Sequence, residues 1–193
     1  GMGMGMGGGG AFELMGLLRM EEVQKDLGMT PEIYQSVQEA MPDMRGMRDA
    51  SQDERVAKMK EANTKMQDVI DEVLSPDQHK RLLGLLVQQQ GLRAAANELV
   101  AKQIGLDDAT VEKVKAEAAK VGQAFREKMQ AASAGGFDPE KMGEAFGAMR
   151  KDMDDALGKV LTDDNKQALE TLKGDKFTFP EFQGFGGGRG GPG

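Results

Sequence analysis

The side chains with the widest chemical reach in this chain of 193 residues are one imidazole, fifteen thioethers and two short acidic clusters. His79 is the only histidine. A general base or metal ligand of this type needs an orienting partner, and a catalytic one needs a nucleophile as well. No such constellation is identifiable around it, so His79 reads as a solvated side chain in the first turn of a helix. Met2, Met4 and Met6 alternate with glycine, and Met41, Met44 and Met47 lie three apart. Thioethers are soft ligands that select Cu(I), which makes copper the metal to weigh. The simpler reading is incidental methionine in the tail and packing methionine in the helices, because Met fills irregular cores.

Asp152, Asp154 and Asp155 form one acidic cluster, and Asp163 and Asp164 form another. A calcium loop would add a central glycine and a glutamate at the twelfth position. Both are missing here. The carboxylates read instead as a solvated helix face and as favourable charge at a helix N-terminus. The chain has no Cys, which removes thiolate nucleophiles, disulfides and Cys-based zinc sites. That composition fits an oxidising compartment. The glycine runs at both ends lack the Lys-Ser/Thr ending and the strand-to-helix setting of a phosphate loop. No catalytic, cofactor or metal residue is assigned, and no cofactor is expected.

Charge narrows the partners. The net charge is −7, and every Lys or Arg run is interleaved with Asp and Glu. A nucleic-acid ligand needs a basic stripe, so none is expected. No stretch approaches the ~18 apolar residues that would span a bilayer.

The elements that must carry these side chains are helices. Thr30-Pro31, Ser75-Pro76 and Asp138-Pro139 each place proline directly after a capping residue. Proline is tolerated at the first helical position because its missing N–H would be unpaired there, and the preceding oxygen accepts a free N–H. Ser51-Gln52-Asp53-Glu54 and Ser75-Pro76-Asp77-Gln78 are capping boxes. Apolar residues recur at helical spacing between the caps. Val56, Met59, Met66, Ile70 and Val73 share a seam with Asn63. Val111, Val114, Ala118, Val121, Phe125 and Met129 form a second, and Met142, Phe146, Met149, Met153, Ala156 and Val160 a third. The spacing predicts helices over about 11–26, 31–49 (interrupted near Pro42 and Gly46), 52–74, 76–103, 108–133 and 139–172, the last breaking at Thr162. Residues 1–10 contain only Gly and Met, and 183–193 are Gly-rich. Both read as disordered tails. The Gly/Met start reads as the beginning of a mature chain from which a leader has been removed.

A duplication is the clearest pattern. The segment Val23–Thr30 aligns with Val100–Asp107, 77 residues later. In each, a glycine stops a helix, a Met or Leu latches, and Thr or Asp caps the next helix. The segment Val73–Leu82 aligns with Val160–Leu169 at an offset of 87, which fits an insertion near Ala131–Gly136. The expected fold is all-α: a tandem duplication of a helical-hairpin unit, 11–103 and 104–182, packed as an antiparallel helical bundle.

At these hinges the chain resembles the bacterial periplasmic families with an LTxxQ motif, the Spy and CpxP-like chaperones and the related zinc-resistance-associated protein. Leu74-Ser75-Pro76-Asp77-Gln78 matches most closely, with Ser for Thr. Leu161-Thr162-Asp163-Asp164-Asn165 has Asn for Gln. Met29-Thr30-Pro31-Glu32-Ile33 keeps only Thr, and Leu106-Asp107-Asp108-Ala109-Thr110 is further away. The resemblance covers these four short windows. It implies an envelope or secreted location and a cradle of long helices that shields unfolded clients.

The function expected from the sequence is therefore non-enzymatic: a periplasmic or secreted helical protein acting through protein contacts, chaperone-like or scaffolding. Its partner is a client protein or a second copy of the chain, as a homodimer. The alternative is a copper- or zinc-responsive or buffering envelope protein. Lys176-Phe177-Thr178-Phe179-Pro180-Glu181-Phe182 alternates aromatic and polar residues. It reads as an extended arm that docks its rings on the bundle, or else on a partner.

Overall fold

The computed structural model describes residues 10–41, 43–136 and 138–179. Met2, Met4 and Met6, the Gly-rich segment 183–193, Pro42, Phe137, Phe182 and Phe185 lie outside the described residues. Gly10, expected within the tail, is the first residue of a helix and is buried. The described residues are all-α and contain no strand.

In order the helices are α1 (Gly10–Leu18), α2 (Glu21–Leu27), α3 (Pro31–Glu39), α4 (Gln52–Val73), α5 (Pro76–Gln90), α6 (Glu98–Ile104), α7 (Asp108–Ser133), α8 (Pro139–Val160) and α9 (Asp163–Lys173). Helices α3, α4, α5, α7, α8 and α9 start where the expected capping residues are. Short 3-10 turns cover Met44–Met47 and Gly91–Ala96. Thr30, Ser51, Ser75, Asp107, Asp138 and Thr162 each accept a backbone N–H of the helix they open.

Three expected helices are shorter than their periodicity suggested. The segment 11–26 breaks at Arg19-Met20, where α2 begins without a side-chain cap. Helix α3 stops at Glu39, and Gly46 lies in the 3-10 turn that follows. The segment 76–103 breaks at Gly91, whose φ of +64° and ψ of −137° suit glycine alone. The expected break at Thr162 separates α8 from α9.

Helix α5 is the centre of the core. Leu82, Leu83, Gly84, Leu85, Leu86 and Val87 are all buried, so over this stretch the helix is apolar all round, as an interior segment must be. Full burial of each Leu or Val stabilises by about 1.5–3 kcal/mol. α5 packs against α9, α1, α6 and the Gly91–Ala96 turn. Gly84 lets α9 approach closely: a Cβ there would run into the Leu172 carbonyl. One core cluster joins Leu14, Leu17 and Leu18 of α1 to Ile70 of α4, Val114 of α7, Leu157 of α8 and Leu169 of α9.

The paired hinges share local geometry. Gly28 and Gly105 are left-handed, with φ of +64° and +76°. Met29 N–H donates to Gln24 O and Leu106 N–H to Ala101 O, both at 2.9 Å. Each is the closure of a glycine-stopped helix. α2 and α6 are both 7 residues long, and α4 and α8 are both 22. The helices that follow the first hinge differ: α3 has 9 residues and α7 has 26.

Candidate functional site

The residues singled out by chemistry do not converge. His79 sits in α5 with its Nε2 3.5 Å from an Asp71 carboxylate oxygen of α4. That nitrogen is buried and makes no hydrogen bond. The expected solvated side chain is thus folded back over the α4–α5 hinge, because the tight Leu74-Ser75 turn brings the end of α4 beside it. Met41 Sδ accepts from the Arg19 guanidinium at 3.4 Å, a contact between the residues that follow α1 and α3. Asp152, Asp154 and Asp155 lie exposed on α8, and Asp163 and Asp164 lie exposed in the first turn of α9. Asp152 faces Lys128 of α7 at 3.7 Å. Among the described residues no three His, Cys, Asp or Glu side chains are grouped to hold a metal ion.

Three polar arrangements tie the helices together. Asn97 is 4% exposed. Its Oδ1 accepts Leu99 N–H at 2.9 Å and so caps α6, while its Nδ2 donates to Gly10 O at 3.1 Å and to Glu13 Oε2 at 3.2 Å. Gln90 Nε2 donates to the same Glu13 oxygen at 3.2 Å. Asn63, the polar member of the α4 seam, accepts Ala11 N–H at 3.0 Å. A buried amide such as Asn97 must be satisfied to be tolerated, and with Asn63 it ties down the N-terminal end of α1.

The second arrangement is the Ser75 hinge. Ser75 Oγ accepts Gln78 N–H at 3.2 Å, and Gln78 Oε1 accepts Ser75 N–H at 2.9 Å. Gln78 Nε2 is left free to donate to Leu27 O at 2.9 Å, at the end of α2. The Thr162 hinge has the same reciprocal box, closed by Asn165 Oδ1 at 3.1 Å.

The third runs along one face of α5. Arg81 pairs with Asp26 of α2 at 2.8 and 3.3 Å. Hydrogen bonding to Asp26 raises the already high pKa of the guanidinium. Arg81 Nη1 also donates to Lys173 O at 3.1 Å and Asp175 O at 2.8 Å. Gln88 Nε2 donates to the same two carbonyls at 2.7 and 2.8 Å, and its Oε1 accepts Phe177 N–H at 2.9 Å. Residues 174–179 therefore lie back along α5. Phe177 and Phe179 are edge-to-face with centroids 4.9 Å apart and pack on the core. The expected docking of this segment on the bundle holds for Phe177 and Phe179.

Away from these ties, α7 and α8 form a long hairpin. Its buried residues are Val111, Val114, Met153 and Leu157, all at the base. None of the described residues between Val114 and Met153 is buried. Phe125 meets Phe146 at 4.9 Å across the seam, yet Phe146 remains 47% exposed. Val121, Met129, Met142 and Met149 are half-buried. The N-terminal turns of α4 also outrun the core, leaving Val56 63% exposed. Met66 is the first residue of the α4 seam to join the core cluster.

Sequence reasoning missed Asp26, Arg81, Gln88 and Asn97. Asn97 before Glu98 carries a cap signal after three alanines. The contacts of Arg81 and Gln88 span 55 to 94 residues, and no local pattern encodes them. No helix among the described residues is long and apolar enough to cross a membrane. No protein-family model, curated protein or solved structure matches this chain.

Proposed function

We propose that this is a non-enzymatic protein of the cell envelope or a secreted one. It acts through protein contacts, in a chaperone-like or scaffolding role, and the α7–α8 hairpin is its contact surface. The observation that carries this reading is the half-covered apolar seam of that hairpin, with Phe146 47% exposed. A monomer gains little by leaving a Phe exposed and several Met side chains only half-covered along a hairpin. Met side chains adapt to partners of differing shape, which suits a client held by its exposed apolar segments. The partial LTxxQ-like hinges at Leu74–Gln78 and Leu161–Asn165 agree with the location and the role. The matched lengths of α2 and α6, and of α4 and α8, support a duplicated unit in which the second copy carries a lengthened arm.

The test is light scattering from a client protein that is unfolding. The chain at equimolar ratio should suppress the scattering, and Phe146→Ser should reduce that suppression. No protection by the native chain at equimolar ratio would refute the chaperone-like form.

A further inference from the structure

Residues 174–179 are held on α5 by their backbone. Gly174 turns the chain out of α9 with φ +63° and ψ −148°, a region open essentially to glycine. A Cβ at this position would lie 3.2 Å from Arg81 Nη1. Arg81 and Gln88 are seven residues apart, on one face of α5. Between them they donate to one carbonyl of the segment, Asp175 O, and accept one of its N–H groups, Phe177 N–H, and both donate also to Lys173 O at the end of α9. Asp175, Lys176 and Thr178 stay exposed, while Phe177 and Phe179 sit against the core. In extended chain, alternate residues point the same way, so one polar track and one apolar strip recognise the segment. Where the segment crosses Gln88 and Lys173, an open depression of about 350 Å³ is lined by these two residues and by Gly174, Lys176, Phe177 and Phe179 of the segment.

Main-chain bonds for affinity and alternate side-chain sites for selectivity are how extended peptides are recognised. None of the polar bonds reads a side chain of the segment. We propose that this face of α5 is a binding groove for extended peptides with two aromatic residues in alternation. Residues 174–179 occupy it in cis, and a segment of the same pattern from another chain takes their place when they lift. The groove is separate from the α7–α8 hairpin, and the inference does not rest on the chaperone-like reading.

The experiment uses the full chain carrying Phe177→Ala and Phe179→Ala, titrated against a fluorescent peptide with the sequence of residues 173–179. Anisotropy should show saturable binding at least about tenfold tighter than to the native chain, because the native segment competes at an effective concentration on the order of millimolar. Binding should vanish when both Phe residues of the peptide are Ala, and weaken when Gln88→Ala is added to the protein. Absence of saturable binding to a variant with native helix content overturns the groove. If the double variant loses its helical signal, amide exchange on the native chain decides. The Phe177 amide should exchange well before those of Leu85 and Leu86. Exchange of Phe177 only together with them would show that the segment never lifts, and would overturn the inference.

Discussion

Gln78→Ala separates what a capping box does from what holds two helices together. In the native chain the Gln78 amide accepts Ser75 N–H and donates to Leu27 O, both at 2.9 Å. Alanine removes both bonds and leaves the carbonyl of a buried residue without its donor. At about 1 kcal/mol for each bond, the expected loss is about 2 kcal/mol. Asn165→Ala at the matching hinge removes only the bond to Thr162 N–H and should cost about 0.5–1 kcal/mol. For a domain of this size 1 kcal/mol shifts Tm by about 3 °C. Gln78→Ala should therefore lower Tm by about 6 °C and Asn165→Ala by about 2–3 °C. Gln78→Asn should fall between them, since the shorter amide closes the box, as Asn165 does, without reaching Leu27. Urea unfolding with a constant m-value gives the same ranking in free energy. Equal losses for Gln78→Ala and Asn165→Ala would refute the assignment of an interhelical role to Gln78.

Other consequences are more local. Ser75→Ala should cost about 1 kcal/mol in urea unfolding, and Thr30→Ala less, because the Thr30 bond is longer, at 3.4 against 3.2 Å, and has no reciprocal partner. Gly143→Ala and Gly147→Ala should each stabilise the hairpin by about 0.5–1 kcal/mol, since a Cβ at either position meets nothing within 4 Å; slower amide exchange in α8 would register it. Hydrogen bonds from Thr110 lower the pKa of Asp107. Its contribution is therefore present above the ordinary carboxylate range and is lost as pH falls through the lower, folded-state value. Asp107→Asn, which still caps, should remove part of the acid dependence of stability seen in a pH series of thermal melts.

Six helix starts were legible because each rests on a short local device. Thr30-Pro31, Ser51, Ser75-Pro76, Asp107, Asp138-Pro139 and Thr162 all cap as their types require. Gly28 and Gly105 stop α2 and α6 for the same reason. The break at Arg19-Met20 was not legible, because α2 begins without a side-chain cap, whereas the break after Gln90 carried local signals in Gly91 and in Asn97 before Glu98 that the continuing apolar spacing masked. Val56 belongs to a helical seam, yet it is exposed, since periodicity gives a face and not what covers it. The Arg81–Asp26 pair and the Gln88 clasp join residues far apart in the chain, and burial of Asn97 depends on the approach of α1. Among the residues of chemical interest, His79 and the aspartates proved separate from one another. The aromatic alternation at Phe177 and Phe179 was the one site-like pattern visible in advance.

In the proposed role, the seam of the α7–α8 hairpin meets other proteins. A photo-crosslinking phenylalanine analogue at position 146, irradiated with an unfolding client, tests it most directly. Adducts should form from position 146 and not from the same analogue at exposed Lys25 of α2. Equal capture at both positions, or none at 146, would contradict it.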